Sequence, residues 1–341
     1  MSEITKYEID MLDVKAADAF LIHMYVKFEQ CESEYVVLID AGNESDGETI
    51  LNHINKYYSQ KYIDLAICTH CDSDHYGGFK RLIEEQKKKG DFTIKKIWIH
   101  DPYTHIDVDD VKYVRKKQTL KQRLNDAYMF SDGTNLIEAL DDAEIKRYEP
   151  FTGLEDTVMN IRVLGPDKDY YESLIPDFRV DLDFKEEQSD DVYSGALIQY
   201  EDDFFSKALE KAYDDKSKVN QSSVVFLFTA KGKHYLFTGD AGKEALHRIV
   251  DADTDELCKN ITFLKVPHHG SKHNLDNDLI KYFNPETSFI STEKYGKYVN
   301  KCIVNALKKC GNVYSTHKDR SSLWHHNGTD IRSNYSTAQP L

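Results

Sequence analysis

Apolar positions along the 341-residue chain fall into short β-branched runs separated by polar turns and amphipathic stretches, the alternation of a layered α/β fold. Residues 9–24 read as strand, turn, strand. Residues 35–39 form a further strand that ends in Asp40-Ala41-Gly42. Ile50, Leu51, Ile54, Tyr57 and Tyr58 recur at helical spacing over residues 47–58. Residues 63–68 are a short buried strand, 79–85 a helix and 94–99 another strand. The pattern resumes with strands at 160–166, 220–228, 234–237, 261–266, 288–291 and 313–316, and a helix over 299–307. Two stretches break it, at about 103–150 and 167–219. The second is acidic, tyrosine-rich and weakly periodic, and both read as insertions into one domain spanning 1–341.

Between the strand at 63–68 and the helix at 79–85 lies Thr69-His70-Cys71-Asp72-Ser73-Asp74-His75-Tyr76-Gly77-Gly78. Alternate residues leaving a strand point the same way, so His70 and Asp72 can share one ion. Asp74 and His75, a step into the turn, can face a second. Imidazole mixed with carboxylate suits Zn, Mn or Fe better than Ca or Mg. A polar loop with a few satisfied histidines is a poor account of four donors packed so closely. This is a metal site.

Charge narrows the class of partner. The formal net charge is −15, spread along the chain, so the average surface repels polyanions. Contact with nucleic acid then needs a local basic patch or a partner protein. Lys112, Arg115, Lys116, Lys117, Lys121 and Arg123 form the densest basic stretch. They read either as a phosphate-contacting helix or as a solvated face balanced by Asp109 and Asp110. The six cysteines, with no apolar leader or membrane-length run, point to a reduced, cytoplasmic setting without a membrane. Cys68 and Cys71 read as ordinary strand and loop residues.

The 69–78 motif resembles the His-x-His-x-Asp-His signature of the metallo-β-lactamase superfamily, with Asp72 in place of the second His. That variant, followed by x-Gly-Gly, is similar to the hydrolase domain of ComEC-type DNA-uptake proteins. Residues 9–24 resemble that branch's opening, matching it at Asp13, Val14, Asp18 and Ala19. Lys15 and Ala17 replace its two turn glycines, so a turn of positive φ there would need another geometry. Leu264-Lys265-Val266-Pro267-His268-His269-Gly270-Ser271-Lys272 is close to a second signature, and residues 220–228 resemble the branch's Asn-Asn-x-Ser strand. Tyr295-Gly296-Lys297-Tyr298 lacks the His of the corresponding Tyr-Gly-His-Pro. The resemblance implies an αββα sandwich with two divalent ions, Zn or Mn. Its ligands would be His70, Asp72, Asp74, His75, Asp240 and His268, with Asp240 touching both ions. Asp40, Asp18 and Ser223 would stand behind them. Asp74, His269 and Lys272 would face the chemistry. Many members place a third His near residue 223, and this chain has none between Gln221 and Gly232.

The expected activity is metal-dependent hydrolysis, in which a water bridging two ions attacks phosphorus or carbon. The resemblance favours a nuclease or phosphodiesterase acting on DNA, another nucleic acid or a nucleotide. A hydrolase of small esters, thioesters or lactones on the same fold is the alternative. A partner-dependent effector with silent intrinsic activity, working beside an ATPase or sensor as in antiviral defence, is another. Oligomeric state stays open. His100, Asp101, His105 and Asp107 are spaced too irregularly for a third ion and read as substrate-facing or surface residues. Trp324-His325-His326 reads as a strand edge.

Overall fold

Two sheets face one another in the computed structural model, which describes residues 2–88, 90–106, 114–115, 118–180, 204–292, 299–316, 322–326, 332 and 340–341. The first contains β1 (Glu3–Met11), β2 (Phe20–Lys27), β3 (Glu32–Ile39), β4 (Leu65–Ile67), β5 (Lys96–Trp98) and β6 (Lys146–Tyr148). The second contains β7 (Glu155–Asp156), β8 (Ile161–Gly165), β9 (Val225–Ala230), β10 (Lys233–Phe237), β11 (Phe263–Lys265), β12 (Thr287–Ile290) and β13 (Asn312–Ser315). The chain then returns, and β14 (Leu323–His326) closes the first sheet beside β1. Strand order is β6-β5-β4-β3-β2-β1-β14 in one sheet and β7-β8-β9-β10-β11-β12-β13 in the other.

Each sheet is antiparallel in one half and parallel in the other. The parallel pairs are β3/β4, β4/β5 and β5/β6, then β10/β11, β11/β12 and β12/β13. Parallel strands need crossovers, and their polar loops gather at one edge of the sandwich. Alternation sorts the side chains. Phe20, Ile22, Met24 and Val26 of β2 join Phe226, Phe228, Tyr235, Phe237 and Phe263 between the sheets. Leu21 and Leu38 turn outward, beneath Ile50, Leu51 and Ile54 of α1 (Gly47–Tyr57) and Phe79, Leu82 and Ile83 of α2 (Phe79–Lys87). Helices on the outer faces of two packed sheets make an αββα sandwich.

The expected breaks in the pattern are partly continuations of it. Within 103–150, α3 (Leu136–Asp142) leads into β6, which pairs in parallel with β5 and extends the sheet. Three residues of β6, all at least partly exposed, carried too little apolar signal to mark a strand. The start of 167–219 is also built in, since α4 (Lys168–Leu174) buries Tyr170, Tyr171 and Leu174. Asn220 and Gln221 sit in a helical turn, Lys218–Gln221, rather than on β9. Lys15 takes a φ of +63° without glycine, so the first turn keeps a left-handed residue after all. The basic stretch is only partly described. Arg123 is buried and donates to the Pro176 carbonyl at 2.9 Å, which is packing rather than phosphate binding. Lys112, Lys116, Lys117, Asp107, Asp109, Asp110 and residues 295–298 lie outside the described residues.

Candidate metal centre

The centre is assembled from loops at the ends of β3, β4, β10 and β11. After β4 the Cys68 amide donates to the Trp98 carbonyl at 2.9 Å, and the chain then turns away as the 69–78 loop. Asp40, just past β3, fixes this loop. Its two carboxylate oxygens accept the Thr69 amide at 2.7 Å and the Thr69 hydroxyl at 2.8 Å. The second oxygen also meets His75 Nδ1 at 2.8 Å, which leaves the opposite ring nitrogen facing the centre. The Gly pair has a local reason. A Cβ on Gly78 would collide with the Ala41 carbonyl oxygen, and the Gly78 amide donates to the Gly42 carbonyl at 3.1 Å. Only glycine lets the 40–42 and 69–78 loops lie this close. Gly239, at φ +51°, does the same beside Thr69 and delivers Asp240.

Two buried imidazole nitrogens, His70 Nε2 and His75 Nε2, have no hydrogen-bond partner among the described residues. Around them lie carboxylates, and none of these hydrogen-bonds to either nitrogen. Asp240 Oδ2 is 3.4 Å from His75 Nε2 and 4.0 Å from His268 Nε2. Asp72 Oδ2 is 3.6 Å from His70 Nε2, while Asp74 Oδ2 is 4.0 Å from His75 Nε2 and 3.3 Å from His269 Nε2. His70, His75 and Asp240 bring ligand atoms within 4.8 Å of one another, and Asp74, His75 and His269 do the same. Buried, unpartnered imidazole nitrogens aimed at a space lined by carboxylates are the arrangement that cations complete. The residues fit divalent metal, in two groups of donors that share His75.

Residues 25–169 match the family model of the metallo-beta-lactamase superfamily. The chain carries a metallo-β-lactamase-fold domain. It is also 32% identical over 111 residues to ComE operon protein 3 of Bacillus subtilis (strain 168), an overlap of 32% of this chain and 14% of that protein. The chain therefore aligns with a small part of that relative. The metallo-β-lactamase fold accounts for the sandwich.

The two adjacent histidines stand otherwise than the resemblance implies, which made His268 the ligand beside Asp74 and His75. His269, not His268, stands beside Asp74 and His75. The cause is backbone. His268, His269 and Gly270 have φ values of +45°, +52° and +83°, so a left-handed turn replaces an extended strand. His269 Nδ1 is held 2.9 Å from the Ser291 carbonyl. The Ser223 hydroxyl lies 3.3 Å from His70 Nδ1 and accepts the Asp240 amide at 3.1 Å. Asp18 is buried and pairs with Lys265, whose ammonium also reaches Asp240 Oδ1 at 3.4 Å. Lys272 is half-buried and forms no ion pair with the cluster among the described residues.

Electrostatics follow from this density of charge. Burial pushes His75 down, but Asp240, Asp40 and Asp74 hold it well above its ordinary value. Burial likewise opposes the charge on Asp74 and Asp240, and neighbouring cations hold both low, His75 and His269 for Asp74, His75 and Lys265 for Asp240. Three charged residues that pattern reading missed grip the centre. They are Lys265, Arg179, which donates to Asp72 Oδ1 at 2.7 Å and to the Cys71 carbonyl, and Asp215 at 3.0 Å from His268 Nδ1. Lys265 stands inside a signature and was legible as buried from its strand. Arg179 and Asp215 are remote in sequence from their partners and carry no local signal. His100 is buried between Tyr171 and Phe151, not on the surface, and burial next to His105 pushes it down to about 3. His105 pairs with Glu149 and Glu172 at 2.8 and 2.9 Å.

Proposed function

We propose that this chain is a metal-dependent phosphodiesterase that cleaves nucleic acid, DNA foremost. The observation that carries the reading is the pair of unpartnered, buried imidazole nitrogens set among Asp72, Asp74 and Asp240. The ComEC-like signatures supply the substrate class. When bound, two divalent ions make a water more acidic and draw off the charge that builds on phosphoryl oxygens. His70 and Asp72 would hold one, Asp74, His75 and His269 the other, and Asp240 both. Asp40 keeps the His75 ring in place through Nδ1. Asp74 and Asp72 keep about a third of their side chains exposed, so substrate approaches over this rim. Asp74, hydrogen-bonded to His269 Nε2, is placed to accept a proton at its carboxylate on that open side.

The test incubates purified protein and Asp74→Ala with Mn²⁺ or Zn²⁺ and labelled single-stranded DNA, double-stranded DNA and a cyclic dinucleotide. Cleavage that the variant loses by about 10²–10⁴-fold is the expected result. Intact substrates in every condition overturn the reading. Turnover of small esters without phosphodiester cleavage selects a narrow-pocket esterase instead.

A further inference from the structure

His70, His75 and Asp240 form one group of donors, and His268 is not among them. His268 is displaced from the Asp74 side, yet its Nε2 faces the shared carboxylate, 4.0 Å from Asp240 Oδ2. Its Nδ1 is fixed from behind by Asp215 Oδ2 at 3.0 Å, with Asn274 Oδ1 at 3.3 Å and Asn220 Nδ2 at 3.4 Å.

Asp215 is itself tightly held. The same Oδ2 accepts Asn220 Nδ2 at 2.8 Å and Asn274 Nδ2 at 3.0 Å, while Oδ1 accepts the Ser217 amide at 2.9 Å. The Asp215 amide donates to the His273 carbonyl at 3.1 Å, and its own carbonyl accepts Gln221 Nε2 at 2.9 Å. Asn274 Nδ2 also reaches the Asp240 carbonyl at 3.0 Å, so one amide ties Asp215 to the strand end that carries the shared carboxylate. Both side chains of the Asp215–His268 pair are largely buried, at 10% and 14% exposure. The pair contributes nothing to the core, being wholly polar. A carboxylate on one imidazole nitrogen sets the tautomer and aims the other nitrogen at a cation.

We propose that Asp215 is a positioning residue that presents His268 Nε2 to Asp240, so that His268 adds a donor to the centre. The inference rests on the metal-dependent reading above. It gives the end of the 167–219 stretch a defined job, since without Asp215 the His268 ring loses its carboxylate partner at Nδ1.

The experiment measures Mn²⁺ and Zn²⁺ content and affinity by elemental analysis and calorimetry for the full chain and for Asp215→Ala, Asp215→Glu, His268→Ala and the double Ala variant. Circular dichroism checks the fold of each. Wild type is expected to bind two equivalents. Asp215→Ala and His268→Ala should each weaken the same equivalent by about 10–100-fold. The double variant should lose no more than His268→Ala alone, and Asp215→Glu should recover part of the loss. In zinc-loaded protein, nitrogen-15 spectra should show the His268 ring protonated at Nδ1 and shifted at Nε2. Two tight equivalents in Asp215→Ala, or losses that simply add, overturn the assignment while leaving the metal-dependent reading in place. No bound metal in wild type overturns both.

Discussion

Lys265 holds the most exposed wager at the scale of single residues. Its ammonium is buried between Asp18, the Gly239 carbonyl at 2.7 Å and Asp240, and these partners keep it charged despite burial. Replacing it with Met leaves Asp18 as a buried carboxylate without its counter-charge. Removing one member of such a pair costs about 3–5 kcal/mol. Urea unfolding of chelated Lys265→Met should show a loss of that size, and a change under about 1 kcal/mol would refute the pairing. Residue types near the site were readable because four donors sat within one loop. Which nitrogen of which histidine faces the centre was not, because it turns on three left-handed backbone angles at 268–270 and on partners such as Asp215, 53 residues away. Local pattern encodes periodicity, and a left-handed turn has none.

At the scale of elements, the strands and helices that lie on the core came through because burial imposes periods of two and of about 3.6 on them. β6 and β14 did not come through clearly, being short and at the two ends of one sheet. β14 nonetheless matters to stability. It pairs with β1, and the Trp324 indole donates to Glu8 at 2.8 Å. Arg332, farther along, reaches Asp10 Oδ1 at 2.5 Å and Glu8 as well. Burial works against the Asp10 carboxylate, but His53 and Arg332 hold it below the ordinary value. A carboxyl lowered on folding adds stability that is complete above its unfolded value, about 4, and drains away as pH falls through the lower folded value. Arg332→Ala removes one of those cations, so its acid-unfolding midpoint should move toward neutral pH. Far-ultraviolet circular dichroism across pH 2–7 measures this, and coincident midpoints would refute it.

For the whole molecule, the fold class was legible because two signatures and the order of elements between them agree, while the net charge of −15 spoke only to approach of the substrate. The donors proposed to hold the ions divide between the sheets. His70, Asp72, Asp74 and His75 follow β4, and Asp240, His268 and His269 follow β10 and β11. Ions bound across this seam favour the folded state over the unfolded one. At free metal of about 100 times Kd the linkage is worth about 2.7 kcal/mol per site. Chelation should therefore lower Tm by about 5–10 °C, read by calorimetry with and without EDTA. An unchanged Tm would refute a centre shared by the two sheets.

On the function proposed above, that division also governs when the molecule can first act. A ribosome releases Asp72 and Asp74 long before Asp240, and a nascent chain that stops short of residue 240 carries only one bank of donors. Such a fragment cannot close the centre however well its first sheet has folded. On the proposed reading, unfinished or undocked copies hold one bank of donors, and only closure of the sandwich brings the two banks together.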